Sequence, residues 1–323
     1  MEIMRKTSVS EVSLKDRLKN IIGIEIFQRV DDSHILDLYI GKDSFSQDTL
    51  LLISDTEPVN IFSAQIIQVN ILKRNDGKWS LSFSLLDNNF EDLFCHFCED
   101  MIKSSRLLAD KKQGSYFICD RYVKWQNMLT KYKYGLLSET QIKGLIGELY
   151  FLKNILIPLH GEKMAVYSWI GPEKTDQDFM YKDFWYEVKS TVSGAGSIKI
   201  STIEQLDTNR EGELVVIYLD KTSYADERKI TLNSIYHQIL DSLLDDNLKY
   251  KLNDILLNMG YCERNEYNEY LFKFSGLVRY AVNKEFPCIR RSDIPDSIIN
   301  TKYELSLPSI HKYIKESNSN GVE

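Results

Sequence analysis

One stretch of the sequence, Phe184-Trp185-Tyr186-Glu187-Val188-Lys189, gives the strongest indication of the fold class and of the chemistry of this chain. Side chains of a β-strand alternate between its two faces, so Tyr186 and Val188 share one face, and Glu187 and Lys189 share the other. A carboxylate and an ammonium therefore project side by side from a strand whose other positions are bulky and apolar. This pairing is the first candidate for a functional site.

Glu-x-Lys alone is a weak signal, because the pattern is common by chance. Acid–base stretches also occur at Glu227-Arg228-Lys229 and Asp110-Lys111-Lys112, but their polar surroundings indicate solvated loops. The simpler interpretation of Glu187 and Lys189 is an exposed ion pair, which contributes little free energy. Further residues must support the functional interpretation.

A short hairpin supplies that support. Asp178-Phe179-Met180 precedes the turn-like Tyr181-Lys182-Asp183 and then the strand that carries Glu187. In such a hairpin Asp178 and Glu187 face the same side, and two adjacent carboxylates repel unless a cation or a proton joins them. Oxygen ligands of this kind suit Mg²⁺ or Mn²⁺. The alternative is that Asp178 is only a turn or strand-edge residue.

A third acid lies on a predicted helix over residues 138–156. Ser138 offers an N-cap, with Gln141 three residues later, which is typical of a capping box. Glu148 falls on an apolar stripe, so we expect it to have a partner, either as a site residue or as a structural acid. The stripe consists of Leu145, Glu148, Leu152 and Ile155. Gly144 and Gly147 flank Glu148 and predict close approach to a strand.

Together, Glu148, Asp178, Glu187 and Lys189 suit phosphodiester hydrolysis. Asp178 and Glu187 would hold the metal, with Glu148 binding it directly or through water, and the metal would polarise the scissile phosphate. Lys189 would position or activate the attacking water and balance negative charge in the transition state.

The predicted elements indicate two domains. Residues 1–110 form a β-rich N-terminal domain with strands over 23–86, a hairpin turn at Asn75-Asp76-Gly77 and a closing helix over 90–108. Residues 111–323 form a mixed α/β domain with a C-terminal extension. Its helices are predicted over 116–131, 138–156, 232–244 and 248–259, and its strands over 185–190, 198–201, 214–219 and 270–282.

The charge of the chain limits how it could meet nucleic acid. A formal net charge of −7 argues against attraction of nucleic acid by the overall electrostatic field of the protein. A local basic surface or a partner protein must therefore supply the contact with nucleic acid. One candidate surface lies in 114–135, where aromatic residues separate the basic side chains. Those side chains are Arg121, Lys124, Lys131 and Lys133. A packed helical face explains the stretch equally well, and Arg290-Arg291 is a weaker second candidate.

The remaining signals indicate a cytoplasmic protein without a membrane segment. Met1-Glu2-Ile3-Met4-Arg5-Lys6 is not followed by an apolar run of signal-peptide length, and no window reaches membrane-spanning length. The chain has five cysteines at irregular spacing, which predicts reduced thiols. Cys95-His96-Phe97-Cys98 lies on an amphipathic helix without a second ligand pair, which favours core packing over a zinc site.

The four candidate site residues lie in motifs that resemble those of the PD-(D/E)XK nuclease superfamily. The motifs are Gly144-Leu-Ile-Gly-Glu148-Leu, Asp178-Phe179 and Glu187-Val-Lys189-Ser190-Thr191. The chain resembles in particular a bacterial family labelled PD-(D/E)XK motif protein and found among phage-defence and restriction-modification genes. The likeness extends to 81–97 and 286–307, nearly the whole chain. It implies an α/β restriction-endonuclease-like core, a mixed sheet flanked by helices, beside the N-terminal β-rich domain.

Mapped onto this sequence, the helix acid of the superfamily falls on Glu148, its motif Asp on Asp178, its second acid on Glu187 and its Lys on Lys189. No Pro precedes Asp178, where Gln177 stands instead, and the short spacing to Glu187 leaves two alternative acids. These are Asp176 and Asp183. The segment 198–206 resembles the strand and Gln-Leu of the family, which makes Gln205 a candidate nucleic-acid contact at the edge of the site.

The function implied is a Mg²⁺- or Mn²⁺-dependent DNA endonuclease in bacterial restriction or anti-phage defence. The expected partners are DNA and other proteins of a defence operon, and a homodimer is expected because a double-strand cut generally calls for two active sites. The alternative is a catalytically inactive, nuclease-like subunit that binds DNA or a partner.

Overall fold

The computed structural model describes residues 12–131, 136–171, 176–208 and 210–318. The chain divides into two compact units, Met1–Tyr134 and Gly135–Glu323. This division falls later than the sequence boundary between 110 and 111, because the helix over 114–131 packs into the first unit. Tyr122 on that helix packs against Phe83 with ring centroids 4.9 Å apart, and the ring centroids of Trp125 and Phe97 are 5.5 Å apart.

In the described part of the first unit, residues 12–131, five antiparallel strands form one sheet and three α-helices accompany it. Its elements are α1 (Leu14–Asn20), β1 (Ile26–Arg29), β2 (Asp37–Lys42), β3 (Asp48–Ser54), β4 (Ile67–Lys73), β5 (Trp79–Leu85), α2 (Glu91–Ser105) and α3 (Gly114–Lys131). The strand order is β1-β2-β3-β5-β4. The predicted hairpin is confirmed, since β4 and β5 pair from Ile67↔Leu85 to Lys73↔Trp79. Cys95 and Cys98 are buried on α2, in agreement with core packing.

The second unit is mixed α/β, as expected. Its helices are α4 (Glu139–Phe151), α5 (Ile157–His160), α6 (Glu162–Ser168), α7 (Leu232–Ser242) and α8 (Asp246–Asn258). Its strands are β6 (Phe179–Met180), β7 (Trp185–Thr191), β8 (Ser197–Ile200), β9 (Gly212–Lys221), β10 (Lys229–Ile230), β11 (Phe272–Val282), β12 (Tyr303–Ser306) and β13 (Ile314–Asn318). The main sheet has the order β10-β11-β9-β7-β6, and β13 also pairs with β11. Strands β7 and β9 are parallel, and β8 pairs with β12 in a separate ladder.

Helix α4 begins where the capping box predicts. The Ser138 hydroxyl accepts from the backbone N–H of Gln141, and the Gln141 side chain accepts from the backbone N–H of Ser138 at 3.0 Å. The helix continues into a π-helical turn over Leu152–Leu156. The helical prediction over 138–156 is therefore confirmed.

The same helix lies very close to strand β7 at one glycine. A Cβ built on Gly147 would lie 1.9 Å from Oγ of Ser190, whereas a Cβ on Gly144 would meet nothing within 4 Å. Close approach therefore explains Gly147 but not Gly144. The contact between Gly147 and Ser190 sets the distance between helix α4 and strand β7 at the residue next to Glu148.

Among the residues that the structure describes, no helix combines the length and the apolar character needed to cross a membrane.

Candidate active site

The predicted hairpin that carries two of the acids is confirmed. Strand β6 pairs antiparallel with β7 through Phe179↔Tyr186 and Met180↔Trp185. The turn is closed by the backbone N–H of Tyr181, which donates to the carbonyl of Phe184 at 2.8 Å. Continued by one residue, this register sets position 178 opposite position 187, so the two carboxyls meet at the end of the hairpin.

Asp178 is held by the backbone around it. Its Oδ2 accepts from the N–H of Val188 at 2.7 Å, and its carbonyl accepts from Ile170 at 3.0 Å and from Gly171 at 3.1 Å. A Cβ on Gly171 would lie 3.2 Å from Oδ1 of Asp178, so the loop fits closely around this carboxyl. Asp178 is a fixed, partly buried acid and not a loose strand-edge residue.

The two alternative acids differ from Asp178 in their surroundings. Asp176 is exposed before β6, and Asp183 is exposed in the hairpin turn, as the sequence suggested for it. Neither has the hydrogen bond to the β7 backbone that orients Asp178. The geometry favours Asp178 as the acid that accompanies Glu187.

Glu187 and Lys189 form a buried ion pair. Nζ of Lys189 lies 2.6 Å from Oε1 of Glu187, and the side chains are 17% and 1% exposed respectively. The interpretation of this pair as an exposed ion pair is wrong, because the strand is covered on both faces. Among the described residues, Oε2 of Glu187 is buried with no hydrogen-bond partner. An unsatisfied buried carboxylate oxygen is costly, which marks this atom as a place for a ligand.

Glu148 has the partner that its apolar stripe predicts. Nε1 of Trp169 donates to Oε2 of Glu148 at 2.8 Å. The indole is fully buried and stacks on Phe179 of β6, with ring centroids 5.9 Å apart and planes inclined by 15°. Trp169 therefore joins the helix acid to the hairpin. Trp169 lies outside every motif of the sequence, so no sequence pattern pointed to it.

Burial raises the pKa values of all three carboxyls, and the charge of Asp178 raises those of Glu187 and Glu148 further. Burial raises the pKa of Glu187 to about 8, with a further increase from the charge of Asp178 and an opposing effect of Lys189. Burial also raises the pKa of Asp178, and burial together with the charge of Asp178 raises that of Glu148 well above its usual range. A cation that binds here must displace protons.

Lys189 stays charged in this environment. Burial lowers the pKa of Lys189, but the carboxylates of Glu187 and Asp178 raise it more, so the net shift is upward. The ammonium is therefore the fixed positive charge of the site.

The donor set fits a hard divalent ion at Asp178 and Glu187. Carboxylate oxygens are the ligands that Mg²⁺ and Mn²⁺ prefer, and the unpartnered Oε2 of Glu187 is one such oxygen. Across the described ranges, no three or more His, Cys, Asp or Glu side chains are grouped as a metal-binding cluster. Participation of Glu148 as a third ligand stays a prediction.

Gln205 lies beside Lys189. Its Oε1 accepts from Nζ of Lys189 at 3.1 Å and from the backbone N–H of Ser201 at 2.8 Å. Gln205 lies at the edge of the candidate site, as predicted from the sequence, and its contact is to Lys189; a contact with nucleic acid stays a prediction. Gln177, which stands where the superfamily motif has Pro, donates from Nε2 to the carbonyl of Glu204 at 2.6 Å.

The basic surface proposed in the first unit needs correction. Arg121 is 1% exposed, and its Nε and one terminal nitrogen bind Asp100 at 2.7 and 2.6 Å. A buried cation needs such a partner, so this side chain cannot track phosphates at the surface. Lys124 lies 3.5 Å from Asp120. The Lys131 side chain and the whole of Lys133 lie outside the described part of the chain.

The second basic candidate is also engaged in the fold. Arg290 lies 3.3 Å from Asp207 and donates to the carbonyls of Asn283 and Lys284. Arg291 donates to the carbonyl of Ile298 at 2.6 Å. Both guanidiniums hold the C-terminal segment in place, which explains their presence without nucleic acid.

Comparison with known families identifies the fold. The family model described as "Putative PD-(D/E)XK family member, (DUF4420)" matches residues 13–308, and the chain belongs to this family. The match confirms the resemblance to the PD-(D/E)XK superfamily, and the mixed α/β structure is consistent with its restriction-endonuclease-like fold. Membership indicates a nuclease-type hydrolase. Neither the comparison with curated proteins nor that with solved structures gave a match.

Proposed function

We propose that this PD-(D/E)XK family member is a metal-dependent endonuclease that hydrolyses phosphodiester bonds in DNA. The observation that carries the proposal is the buried carboxylate of Glu187, which has one oxygen on the ammonium of Lys189 and the other without a partner. Asp178 lies opposite it, immediately before strand β6, and Glu148 approaches from helix α4. A structural ion pair would not require the further buried acids.

In this proposal Asp178 and Glu187 hold Mg²⁺ or Mn²⁺, and Glu148 contributes directly or through water. The ion, when bound, supplies Lewis-acid activation of the phosphate and of the attacking water. The backbone N–H of Val188 keeps the Asp178 carboxyl oriented, and the indole of Trp169 does the same for Glu148. These contacts fix the acids before substrate arrives, which is the basis of electrostatic preorganisation.

Lys189 acts as an oriented cation. Because its pKa is raised, it keeps its proton at neutral pH and stabilises the negative charge that develops on the phosphate. The same ammonium can hold the attacking water through a hydrogen bond. This favours positioning of the water over removal of its proton by Lys189.

The alternative function is a nuclease-like subunit that binds DNA or a partner without cutting. The net charge of −7 and the burial of Arg121 favour this non-cutting subunit. With an acidic chain and a buried Arg121, nucleic acid must be bound by a local basic surface or by another protein. Buried acids with raised pKa values favour the enzyme, since a binding surface has no need of them.

The setting that we propose is restriction or anti-phage defence in the bacterial cytoplasm, together with other proteins of a defence operon. A homodimer would supply two active sites for cleavage of both strands. These proposals rest on the resemblance of the site motifs to the defence-associated family.

A cleavage assay tests the proposed function. Supercoiled plasmid, methylated and unmethylated linear duplexes, single-stranded DNA and RNA are incubated with the chain in Mg²⁺, Mn²⁺ or EDTA, with and without neighbouring gene products. We expect metal-dependent cutting of DNA that Asp178→Asn abolishes. Asp183→Asn, in the exposed turn of the same hairpin, is the matched control and should cut normally. DNA binding without cutting would support the alternative.

A further inference from the structure

The contacts of Gln205 determine which end of its side-chain amide, the oxygen or the nitrogen, faces Lys189. Nζ of Lys189 and the backbone N–H of Ser201 are both obligatory donors, so only the carbonyl oxygen of the amide can face them. Both acceptor positions of Oε1 are therefore used within the protein. The amide orientation follows from chemistry alone.

The turn that carries Gln205 is anchored on both sides. Ile203 and Leu206 are each 1% exposed and hold the 3₁₀ turn Ile203–Gln205 against the core. The Gln177 amide donates to the carbonyl of Glu204 in the same turn. The turn is thus tied to the residue before Asp178 and, through Gln205, to Lys189, at the two ends of the acidic hairpin.

A second acceptor determines where the rest of the ammonium points. A lysine ammonium has three N–H donors in tetrahedral arrangement. One is directed at Oε1 of Glu187 at 2.6 Å and one at Oε1 of Gln205 at 3.1 Å. With two donors fixed, the direction of the third is fixed as well. With Glu187 as the only acceptor, the ammonium could turn about that single bond.

We propose that Gln205 is a positioning residue for Lys189 and not a nucleic-acid contact. It aims the free N–H of Lys189 at the reacting phosphate or water, which places its effect on turnover and not on substrate affinity. The proposal rests on the nuclease function proposed above for the use of that donor. The geometric part, that Gln205 holds Lys189, does not require catalysis.

Two variants separate the roles of the acceptor and of the amide group. Gln205→Met keeps the length but removes the acceptor, while Gln205→Glu keeps an acceptor for both donors. Gln238→Met, at an exposed position of α7, makes the same substitution away from the site. If Gln205→Met lowers the melting temperature markedly, Gln205→Asn replaces it, because its shorter side chain cannot reach Lys189.

The first readout is single-turnover and steady-state cleavage. We expect Gln205→Met to lower kcat by about 100-fold with little change in KM, as a misplacement of about 1 Å does. Gln205→Glu should recover kcat to within about tenfold of wild type, and Gln238→Met should equal wild type. A variant with raised KM and unchanged kcat would make Gln205 a nucleic-acid contact and overturn the proposal.

The second readout needs no activity. In protein labelled with ¹³C and ¹⁵N at lysine, the signal of Lys189, assigned with Lys189→Ala, should shift in Gln205→Met and stay at its wild-type position in Gln238→Met. An unmoved signal in Gln205→Met overturns the positioning role. If wild type cuts no nucleic acid, the proposed function fails, and the lysine signal still decides whether Gln205 holds Lys189.

Discussion

The ammonium of Lys189 lies 2.6 Å from a carboxylate oxygen of Glu187, two residues earlier on the same strand. Both side chains project from the same face of β7, and little of either meets solvent. Removal of one partner would leave the other buried without its counter-ion, which costs stability unless a proton or a metal ion replaces the lost charge. The pair therefore links the stability of the second unit to the charge state of its candidate active site.

The metal-free protein should lose stability as pH rises. The pKa of Glu187 is raised from its unfolded value near 4.5 to about 8, so the folded state binds the proton more tightly. Its contribution is complete below pH 4.5 and is lost as pH rises to about 8, with a slope of roughly 1.4 kcal/mol per pH unit. Urea denaturation in EDTA from pH 5 to pH 9 measures this slope. Glu187→Gln should make the slope shallower without removing it, because the raised pKa values of Asp178 and Glu148 also contribute, and an equal slope in the variant would contradict the assignment.

Metal binding should be coupled to proton release. Because the pKa values of Glu187, Asp178 and Glu148 are all raised, Mn²⁺ must displace protons, and its affinity should increase from pH 6 to pH 8.5. Calorimetric titration in two buffers of different ionisation enthalpy measures the released protons, with and without a DNA duplex. Asp178→Ala should abolish binding and Asp183→Ala should not. Equal binding by Asp178→Ala and wild type would remove Asp178 from the site.

Glu148→Gln should separate stability from activity. The glutamine oxygen can still accept from Nε1 of Trp169, while the side chain can no longer ionise beside Asp178. The metal-free melting temperature should stay or rise, yet metal-dependent cleavage should be lost. Thermal melts beside cleavage rates test this, with Glu139→Gln, exposed at the start of the same helix, as control. A destabilised but active Glu148→Gln would make Glu148 a structural acid.

The two glycines beside Glu148 should respond oppositely to alanine. At Gly147 the new methyl group would collide with Oγ of Ser190, so Gly147→Ala should destabilise the protein by about 1–3 kcal/mol. At Gly144 the space is open, and Gly144→Ala should stabilise the helix by roughly 0.5–1 kcal/mol. Chemical denaturation of both variants decides the matter. A neutral Gly147→Ala would show that the Ser190 side chain turns away without cost and would contradict the steric role of this glycine.

Local patterns predicted the elements that carry the site. The alternation around Glu187 and the turn at 181–183 predicted the β6–β7 hairpin, since strand period and turn chemistry are both local. The Ser138–Gln141 capping box predicted the start of α4, because its two hydrogen bonds span only three residues. Each of these features depends on neighbours within a few positions in the chain.

The contacts that complete the site could not be predicted, because they join distant parts of the chain. Trp169 lies 21 residues from Glu148, and its indole could equally have been an ordinary core residue. Arg121 looked like a surface cation, and only the tertiary contact with Asp100 shows that it is buried. The carbonyl of Glu204 that receives the Gln177 amide is likewise brought close only by the folded sheet.

The most direct test of the account is the single-turnover rate of DNA cleavage by Lys189→Ala in Mg²⁺, compared with wild type. Lys199→Ala, at an exposed position on β8, serves as control. We predict that Lys189→Ala folds and binds Mn²⁺ at pH 8.5 but cuts more slowly than wild type, on the order of 10³-fold or more. Lys189→Arg should not recover the full rate, because a planar guanidinium is a different donor. A rate for Lys189→Ala equal to that of wild type and Lys199→Ala would contradict the account.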